Sequence, residues 1–281
     1  MLINSIFTSL EGECHLSGVP TLFVRTQGCD FKCVSCDTKE SWDISEGQEK
    51  SVSEVLSQLE SILDNNPTIR KVSFTGGNPL LQIDEIREIC KALRRKYLHT
   101  ISINLEHPGI DFRKEYNISE FNDHIFELMD IFSTITLDIK LHLLNHTKDN
   151  SAILKDISLF LIKLSWAIRN TKLIPKIIVN TYTVPCLVDL ISTMSNSNTI
   201  NTFDYCLSSV PCIYVSCINN MGILDNSNRK SNLTVTAKQM FDKIERDKNL
   251  VKQVIHIMST SKITNFYFRL NVQLHKLLGL K

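Results

Sequence analysis

Hydrophobic and polar positions along the chain follow two different periods. Short runs rich in β-branched and aromatic residues, each bounded by Gly, Pro or Asn, predict strands. The predicted strands span 21–28, 71–77, 99–106, 133–140, 172–181 and 212–217. Apolar residues at helical spacing predict helices near 52–66, 83–97, 118–130, 150–169, 185–195 and 236–257. Alternating strands and helices form a parallel sheet with helices packed outside it, so we predict an α/β fold of six βα units.

Polar or glycine-rich segments end or follow the first four predicted strands. Six βα units can close most of the way into a barrel or remain an open doubly wound sheet, and in both folds ligands bind where the strands end. The residues at these positions are three closely spaced cysteines, Gly76, Gly77, Asn78, Glu106, Asp138 and Lys140. We therefore predict a single site at the carboxyl edge of the sheet.

The composition is that of a globular protein, with 43% hydrophobic and 22% charged residues among 281. We expect one domain over residues 1–281. The formal net charge of +1 provides no long-range field that would attract nucleic acid or an acidic membrane. The chain does not start like a signal peptide, and it contains no uninterrupted apolar run long enough to span a membrane. We expect a cytoplasmic protein that contacts neither membrane nor nucleic acid.

The nine cysteines are an odd number in a chain without a secretory signal, which disfavours a disulfide framework. Cys29, Cys33 and Cys36 crowd into one loop. Three thiolates so spaced can hold three irons of a 4Fe-4S cluster and leave the fourth iron open. Zinc is the alternative, but a structural zinc site usually takes four ligands in two pairs, and no second pair occurs. A looser group of cysteines within 206–217 favours core packing over an auxiliary cluster.

The stretch CDFKCVSC (29–36) resembles the CxxxCxxC cluster motif of the radical S-adenosylmethionine superfamily, and TGGNP (75–79) resembles its GGEP motif. The resemblance implies a partial (β/α)6 TIM-like barrel with expanded peripheral segments, and a 4Fe-4S cluster on the three cysteines. It also implies that S-adenosylmethionine binds the open iron and is cleaved to a 5'-deoxyadenosyl radical. Two glycines would let the backbone approach this cofactor closely. The implied cofactor contacts are Gly76, Gly77, Asn78, Asp138 and Lys140.

The flanking residues resemble 7-carboxy-7-deazaguanine synthases. SLEGEC (9–14), GVPTLFVRTQGC (18–29) and CDT (36–38) resemble that family's opening, and RLNVQLHKLLGLK (269–281) resembles its end. The family converts 6-carboxy-5,6,7,8-tetrahydropterin into 7-carboxy-7-deazaguanine with loss of ammonia, on the route to queuosine and related deazapurines. It uses the cluster, S-adenosylmethionine and Mg²⁺. The resemblance therefore implies a carbon-nitrogen lyase.

The resemblance also assigns roles to individual residues. Thr38 would offer its hydroxyl to Mg²⁺, which takes hard oxygen ligands. Carboxylates can bind the donor face of a pterin, and the planar fork of an arginine matches the substrate carboxylate. The implied substrate contacts are Glu11, Glu13, Arg25, Glu106 and His275. Without the resemblance, the two N-terminal glutamates would be solvated charges, the arginine a structural ion pair and the histidine part of a packed terminal turn.

Four positions depart from the family's pattern. Cys14 stands in place of Gly, Ser35 in place of an aromatic residue, Glu11 in place of Gln and Asn78 in place of Glu. We expect Cys14 to add a side chain close to the substrate. The glutamine amide of the family donates and accepts hydrogen bonds, whereas the carboxylate of Glu11 only accepts them.

Two alternatives stay open from the sequence. A radical enzyme of the glycyl-radical-enzyme-activating type also uses CxxxCxxC, but it does not account for the matches at the two ends of the chain. A degenerate iron-sulfur binding protein without catalysis would account for Asn78 and Cys14. The resemblance further implies an external electron donor such as flavodoxin and a homodimer, and it is weakest over 110–132 and 142–170.

Overall fold

In a computed structural model the chain forms one mostly parallel sheet with helices beside it. The structure describes residues 1–33, 36–98, 100–145, 147–164, 167–168, 170, 172–180, 182–196, 212–217, 249–257 and 267–270. The strands in these ranges are β1 (Leu2–Leu10), β2 (Pro20–Thr26), β3 (Gln48–Glu49), β4 (Lys71–Gly76), β5 (Ser102–His107), β6 (Thr134–Ile139), β7 (Leu173–Val179), β8 (Cys212–Cys217) and β9 (Tyr267–Leu270). The helices are α1 (Val52–Asn65), α2 (Ile83–Tyr97), α3 (Ile118–Ile131), α4 (Ser151–Lys163) and α5 (Val184–Asn196). Residues 249–257 are also helical.

The strand order is β3-β1-β2-β4-β5-β6-β7-β8-β9. From β2 onward, every neighbouring pair is parallel and follows chain order. In a doubly wound sheet, the strand order reverses at a switch point. In a (β/α) barrel, each strand is added on the same side of the strand before it in the chain. The predicted α/β class with the strand order of a partial barrel is therefore confirmed, and all six predicted strands are present.

Three strands were not predicted from the sequence. Strand β1 pairs antiparallel with β2, and the two-residue β3 pairs antiparallel with β1. Strand β9 extends the parallel sheet beyond β8. Strand β1 was missed because polar Asn4, Ser5 and Ser9, which are half-buried, interrupt its apolar pattern. The single domain and the divergent segments stay predictions.

The helices begin and end where their sequences indicate. The α1 helix starts at a capping box, in which the Ser51 hydroxyl accepts from the Glu54 backbone N–H and the Glu54 carboxylate accepts from the Ser51 backbone N–H. Its buried side chains, Val55, Leu59 and Leu63, are spaced by four residues and form one apolar face. In the described residues α4 is shorter than predicted, since it ends at Lys163. No described helix is long and apolar enough to cross a membrane.

Side chains alternate along the central strands, which separates the apolar core from a polar interior. The residues of β4 and β5 that pack in the hydrophobic core include Phe74 and Leu105. The intervening positions are hydrogen-bonded: Asn104 Nδ2 donates to Ser73 Oγ at 2.9 Å, and Thr134 Oγ1 donates to Asn104 Oδ1 at 2.8 Å. Because the period is two, this polar face continues toward the carboxyl ends of the strands, where the predicted site lies.

Candidate active site

A large cleft opens at the carboxyl ends of the parallel strands. The space between its lining atoms, counted together with solvent at the mouth, is about 1320 Å³. The predicted site residues that line it are Glu11, Glu13, Arg25, Cys29, Cys33, Cys36, Thr38, Gly76, Gly77, Glu106, Asp138 and Lys140. The structure therefore brings together most of the site predicted from the sequence.

All three cysteines of the loop after β2 line this cleft. Burial raises the pKa of Cys33 to about 11, although the nearby Lys140 ammonium opposes the shift. Burial also raises the pKa of Cys36, whose sulfur accepts a hydrogen bond from the Thr38 backbone N–H at 3.4 Å. Among the described residues, no three His, Cys, Asp or Glu side chains gather closely enough for one metal ion. Three thiols on the wall of one cleft are the ligands that a 4Fe-4S cluster with one open iron requires.

The two glycines after β4 support the cysteine loop. A Cβ on Gly77 would lie 2.1 Å from the carbonyl oxygen of Gly28 and 2.6 Å from that of Ser41. Gly76 has φ +130°, and its Cβ would lie 2.4 Å from the Thr26 carbonyl oxygen. The sequence suggested that the glycines approach a cofactor. In the structure they line the cleft, but the atoms closest to the missing side chains belong to the protein's own backbone.

Asn78 points away from the cleft. Its Nδ2 donates to Asp30 Oδ1 at 2.8 Å, and its Oδ1 accepts from the Leu80 backbone N–H at 3.1 Å. The residue is 5% exposed and is not among the residues that line the cleft. Its predicted contact with S-adenosylmethionine stays a prediction, and the side chain would have to exchange these partners to make it.

Glu11 is buried, so the alternative of a solvated charge is wrong for this residue. Its Oε2 accepts from Lys71 Nζ at 2.5 Å, and its Oε1 accepts from the Gly12 backbone N–H at 3.0 Å. Lys71 is only 3% exposed at the start of β4. Both oxygens of this carboxylate therefore have protein partners before any ligand binds.

A chain of charges joins Glu13 to Lys140. Lys176 Nζ lies 2.5 Å from Glu13 Oε2 and 2.9 Å from Asp138 Oδ1. Lys140 Nζ lies 2.5 Å from Asp138 Oδ2 and donates to the Pro108 carbonyl oxygen at 2.7 Å. Burial alone would raise the pKa of Asp138, but the two lysines outweigh it and hold that pKa well below its usual range. Burial would likewise lower the pKa of Lys176, but Asp138 and Glu13 raise it. Asp138 and Lys176 are thus held in their charged forms.

Glu106 has the opposite environment. Burial and the neighbouring Glu11 carboxylate raise the pKa of Glu106 to about 8. One of its oxygens accepts from Asn104 Nδ2 at 3.1 Å. A carboxyl group with this pKa is mostly protonated at neutral pH, so it can donate a hydrogen bond into the cleft.

Arg25 offers unused donors at the cleft wall. Its guanidinium carbon lies 5.2 Å from the centre of the Phe7 ring, and Nη1 lies 3.6 Å from Glu40 Oε1. Its Nε is buried and has no hydrogen-bond partner in the described part of the chain. The distant ion pair leaves the planar fork available for an anion. The Thr38 hydroxyl donates to Asp37 Oδ1 at 3.0 Å near the same wall.

Cys14 adopts φ +56°, in the left-handed region that favours glycine. The resembling family has Gly at this position, and the Cys14 backbone adopts a conformation that is easy for glycine and uncommon for other residues. Burial raises the pKa of the Cys14 thiol, which Lys176 opposes and Glu13 reinforces. The thiol therefore lies among the charged groups of the site, although it is not among the residues that line the cleft.

Four charged residues around this site were not predicted from the sequence. One predicted site residue, His275, lies outside the described ranges. The missed residues are Lys71, Asp111, Arg113 and Lys176. Lys71 begins the strand run KVSF, and Lys176 lies inside the mostly apolar strand run KLIPKIIV. A charge buried in such a strand requires a partner. That signal could have identified both lysines. Cys206 also lies outside the described residues.

Residues 17–151 match the family described as 4Fe-4S single cluster domain. This range contains the cysteine loop and all of the strands from β2 to β6. The match covers the part of the chain that supplies the three thiols and the two glycines.

Curated proteins similar to this chain include several 7-carboxy-7-deazaguanine synthases. The one from Methanospirillum hungatei is 44% identical over 93 residues, which are 33% of this chain and 37% of the relative. The one from Pyrobaculum aerophilum is 40% identical over 93 residues, which are 33% of this chain and 40% of the relative. The predicted resemblance is confirmed. The relative from Escherichia coli K12 is 35% identical over 94 residues, 28% of this chain and 42% of that protein.

The aligned residues span about two fifths of the length of these synthases. Among solved structures, the crystal structure of QueE from Escherichia coli aligns with 96% of this chain and 93% of its own, at 17% identity and a TM-score of 0.45.

Proposed function

We propose that this protein is a radical S-adenosylmethionine enzyme that converts 6-carboxy-5,6,7,8-tetrahydropterin into 7-carboxy-7-deazaguanine with loss of ammonia. One observation carries the proposal: the three thiols of one loop and the guanidinium of Arg25 line the same cleft. The similarity to 7-carboxy-7-deazaguanine synthases supports the choice of reaction.

Cys29, Cys33 and Cys36 would hold a 4Fe-4S cluster, because they are the three thiols on the cleft wall. When bound, the cluster and S-adenosylmethionine supply a 5'-deoxyadenosyl radical that removes a hydrogen atom from the substrate. The raised pKa values of Cys33 and Cys36 describe thiols without metal, and iron binding would drive their deprotonation. Gly76 and Gly77 keep the strand end close to this loop.

The charged groups of the cleft would bind two ligands, the pterin substrate and S-adenosylmethionine. Arg25 lines the cleft, and its planar guanidinium suits the carboxylate of the pterin. Glu13 and Glu106 would bind the polar edge of the pterin ring, where the protonated Glu106 can donate and the Glu13 carboxylate accepts. Asp138 and Lys140 would border S-adenosylmethionine. Glu11 acts mainly through its ion pair with Lys71, since both of its oxygens are occupied.

The remaining parts of the proposal rest on the resemblance. Thr38 would contribute its hydroxyl to Mg²⁺, with substrate oxygens and waters completing the shell. His275 would contact the substrate. The electron would come from an external donor such as flavodoxin, and the protein would act as a homodimer.

Anaerobic reconstitution with iron and sulfide tests the proposal. The protein, incubated with a strong reductant, S-adenosylmethionine, Mg²⁺ and 6-carboxytetrahydropterin, is expected to form 5'-deoxyadenosine and 7-carboxy-7-deazaguanine. Cys33→Ser should abolish both products, while Cys186→Ala, which changes a buried cysteine on α5, should retain them. Formation of 5'-deoxyadenosine without the deazaguanine would mean that the substrate is wrong. Absence of iron and sulfide from the reconstituted protein would exclude the whole proposal.

One observation favours a second candidate, an iron-sulfur protein that does not cleave S-adenosylmethionine. Asn78 replaces a carboxylate that would contact the cofactor's ammonium group, and its side chain is engaged with Asp30. This candidate predicts a bound cluster and no 5'-deoxyadenosine. The same incubation therefore distinguishes it from the proposed lyase, and Asn78→Glu should then increase cleavage.

A further inference from the structure

The segment that follows β5 reaches across to the cysteine loop. Arg113 Nη2 donates a hydrogen bond to the Phe31 carbonyl oxygen. The same guanidinium pairs bidentately with Asp111, with Nε at 2.7 Å from Oδ1 and Nη2 at 2.9 Å from Oδ2. Next to it, Lys114 Nζ lies 3.3 Å from the Asp30 carbonyl oxygen. Two consecutive carbonyls between Cys29 and Cys33 are thus bound from outside the loop.

We propose that Arg113, oriented by Asp111, is a positioning residue that fixes the backbone between Cys29 and Cys33 and so holds their sulfurs in the arrangement that binds the cluster. This inference rests on the proposed function, because it takes the ligand of the loop to be a 4Fe-4S cluster. Arg113 lies in the segment 110–132, which we predicted from the sequence to diverge from the resembling family.

The loop needs such support because of its backbone conformation. Lys32 has φ +47°, in a region that non-glycine residues rarely occupy. Such a conformation persists only when surrounding contacts determine it. The Phe31 side chain is buried, with Lys140 Nζ 5.6 Å from the centre of its ring, while Arg113 binds the Phe31 carbonyl. Phe31, the neighbour of Lys32, is thus held on two sides.

Arg113 also carries a permanent charge next to the thiols. A guanidinium is effectively always protonated, and its fork allows it to bind a carboxylate and a carbonyl in fixed geometry. Asp111 is buried and holds that fork in place. A fixed positive charge near a cluster favours the reduced, more negative form, so its removal should make the cluster harder to reduce.

Iron release and reduction potential test the clamp in the reconstituted full-length protein. Arg113→Gln is expected to lose iron to a chelator roughly ten times faster than the wild type, since groups that orient metal ligands typically contribute about this much to affinity. Its cluster potential, followed by electron paramagnetic resonance during a redox titration, should become more negative. Arg113→Lys keeps the charge without the fork, so it should release iron faster while its potential stays close to the wild-type value. Arg87→Gln is the matched control, because Arg87 pairs with exposed Asp84 on α2, and it should change neither quantity.

Wild-type release rate and potential in Arg113→Gln would overturn the clamp, whatever the catalytic activity of the variant. Hydrogen exchange of the amides in 29–33, measured before reconstitution, gives a readout that needs no cluster and no catalysis. Arg113→Gln and Asp111→Asn should both accelerate this exchange, and unchanged exchange would also overturn the inference. Failure of the wild type to bind iron and sulfide would instead exclude the proposed function, so the two failures are distinguishable.

Discussion

Glu106 and Asp138 lie near the ends of neighbouring strands, yet the protein holds them in opposite protonation states. Asp138 contacts two lysines, at 2.5 Å and 2.9 Å, which keep it ionised. Glu106 has an amide donor and the Glu11 carboxylate nearby, and its pKa is raised to about 8. One side of the cleft therefore presents a fixed anion, and the other presents a carboxylic acid that can donate or ionise when a ligand requires it.

The raised pKa of Glu106 predicts a pH-dependent stability. Between the unfolded value of about 4.5 and the folded value of about 8, the folded protein binds a proton that the unfolded chain releases. The contribution of Glu106 to the free energy of unfolding therefore falls as the pH rises from about 4.5 to about 8. Glu106→Gln removes the titration, so the free energy of unfolding of the variant should gain on that of the wild type by on the order of 3 kcal/mol between pH 5 and pH 7.5. Urea unfolding at several pH values measures this difference.

The control for this experiment is Glu88→Gln, which changes an exposed carboxyl on α2. Its difference from the wild type should stay constant over the same pH range. If the Glu106→Gln difference also stays constant, or changes in the opposite direction, Glu106 is ionised in the folded protein, and its assigned role as a donor is wrong.

Lys176 forms ion pairs with both Glu13 and Asp138. The family resemblance assigned Glu13 to the substrate and Asp138 to the cofactor. Lys176→Met would remove the buried lysine that pairs with half-buried Glu13 and with Asp138, and breaking a buried ion pair from one side typically costs about 3 to 5 kcal/mol. Lys172→Met, at an exposed lysine just before the same strand, should change the free energy of unfolding by less than about 0.5 kcal/mol. Adding Glu13→Gln to Lys176→Met should restore part of the loss, since the carboxylate that has lost Lys176 is then replaced by a neutral amide. Equal costs for the two lysine variants would show that the network contributes no stability.

At the scale of secondary-structure elements, the site depends on the contact between the end of β4 and the cysteine loop. The Asn78 backbone N–H donates to the Gly28 carbonyl oxygen at 2.7 Å, and the Gly28 backbone N–H donates to the Ser41 carbonyl oxygen at 2.8 Å. These bonds join the first two parallel strands at their carboxyl ends, beyond the ladder of β2 and β4. The loop that carries the thiols is therefore positioned by the neighbouring strand as well as by its own.

Gly77→Ala tests this contact. The new methyl group would lie 2.1 Å from the Gly28 carbonyl oxygen, so strand and loop must separate. We expect a loss of about 1 to 3 kcal/mol in the free energy of unfolding, as for other overpacked sites, together with lower iron content after reconstitution. Gly18→Ala is the matched glycine control: its Cβ would meet nothing within 4 Å, and its φ of +89° adds only backbone strain. If both variants retain wild-type iron content, the close packing at Gly77 is not needed to hold the loop.

Most strands and helices could be predicted because their local patterns agree with their tertiary environment. The α2 helix spans Ile83–Tyr97, as its apolar spacing indicates. Strand β7 is apolar over nearly its whole length because it is buried on both faces. Strand β1 could not be predicted from the same signal. It pairs with β2 on one side and the two-residue β3 on the other, and its partly exposed faces carry mixed residues.

At the scale of the whole molecule, the sequence predicted which residues gather at the carboxyl edge but not how they pair. Parallel order brings the ends of consecutive strands together, which accounts for the correct placement of Cys29, Gly77, Glu106 and Asp138. Partners such as Lys71 for Glu11 come from positions 60 residues away in the chain, and no local pattern predicts them. The orientation of Asn78 toward Asp30 is likewise a property of the folded loops.

The cleft walls come from strands along much of the sheet, so ligands bound there should stabilise the molecule as a whole. A ligand that binds only the folded state adds about 2.7 kcal/mol to the free energy of unfolding at 100 times its dissociation constant. For the anaerobically reconstituted protein, the urea midpoint should therefore rise with the logarithm of the S-adenosylmethionine concentration. Cys29→Ser, which lacks one of the three thiols, should show a much smaller rise, because the open iron that anchors the ligand is lost or misplaced. A midpoint that does not respond to S-adenosylmethionine in the wild type, although iron and sulfide are bound, would mean that the cleft accepts a different ligand next to its cluster.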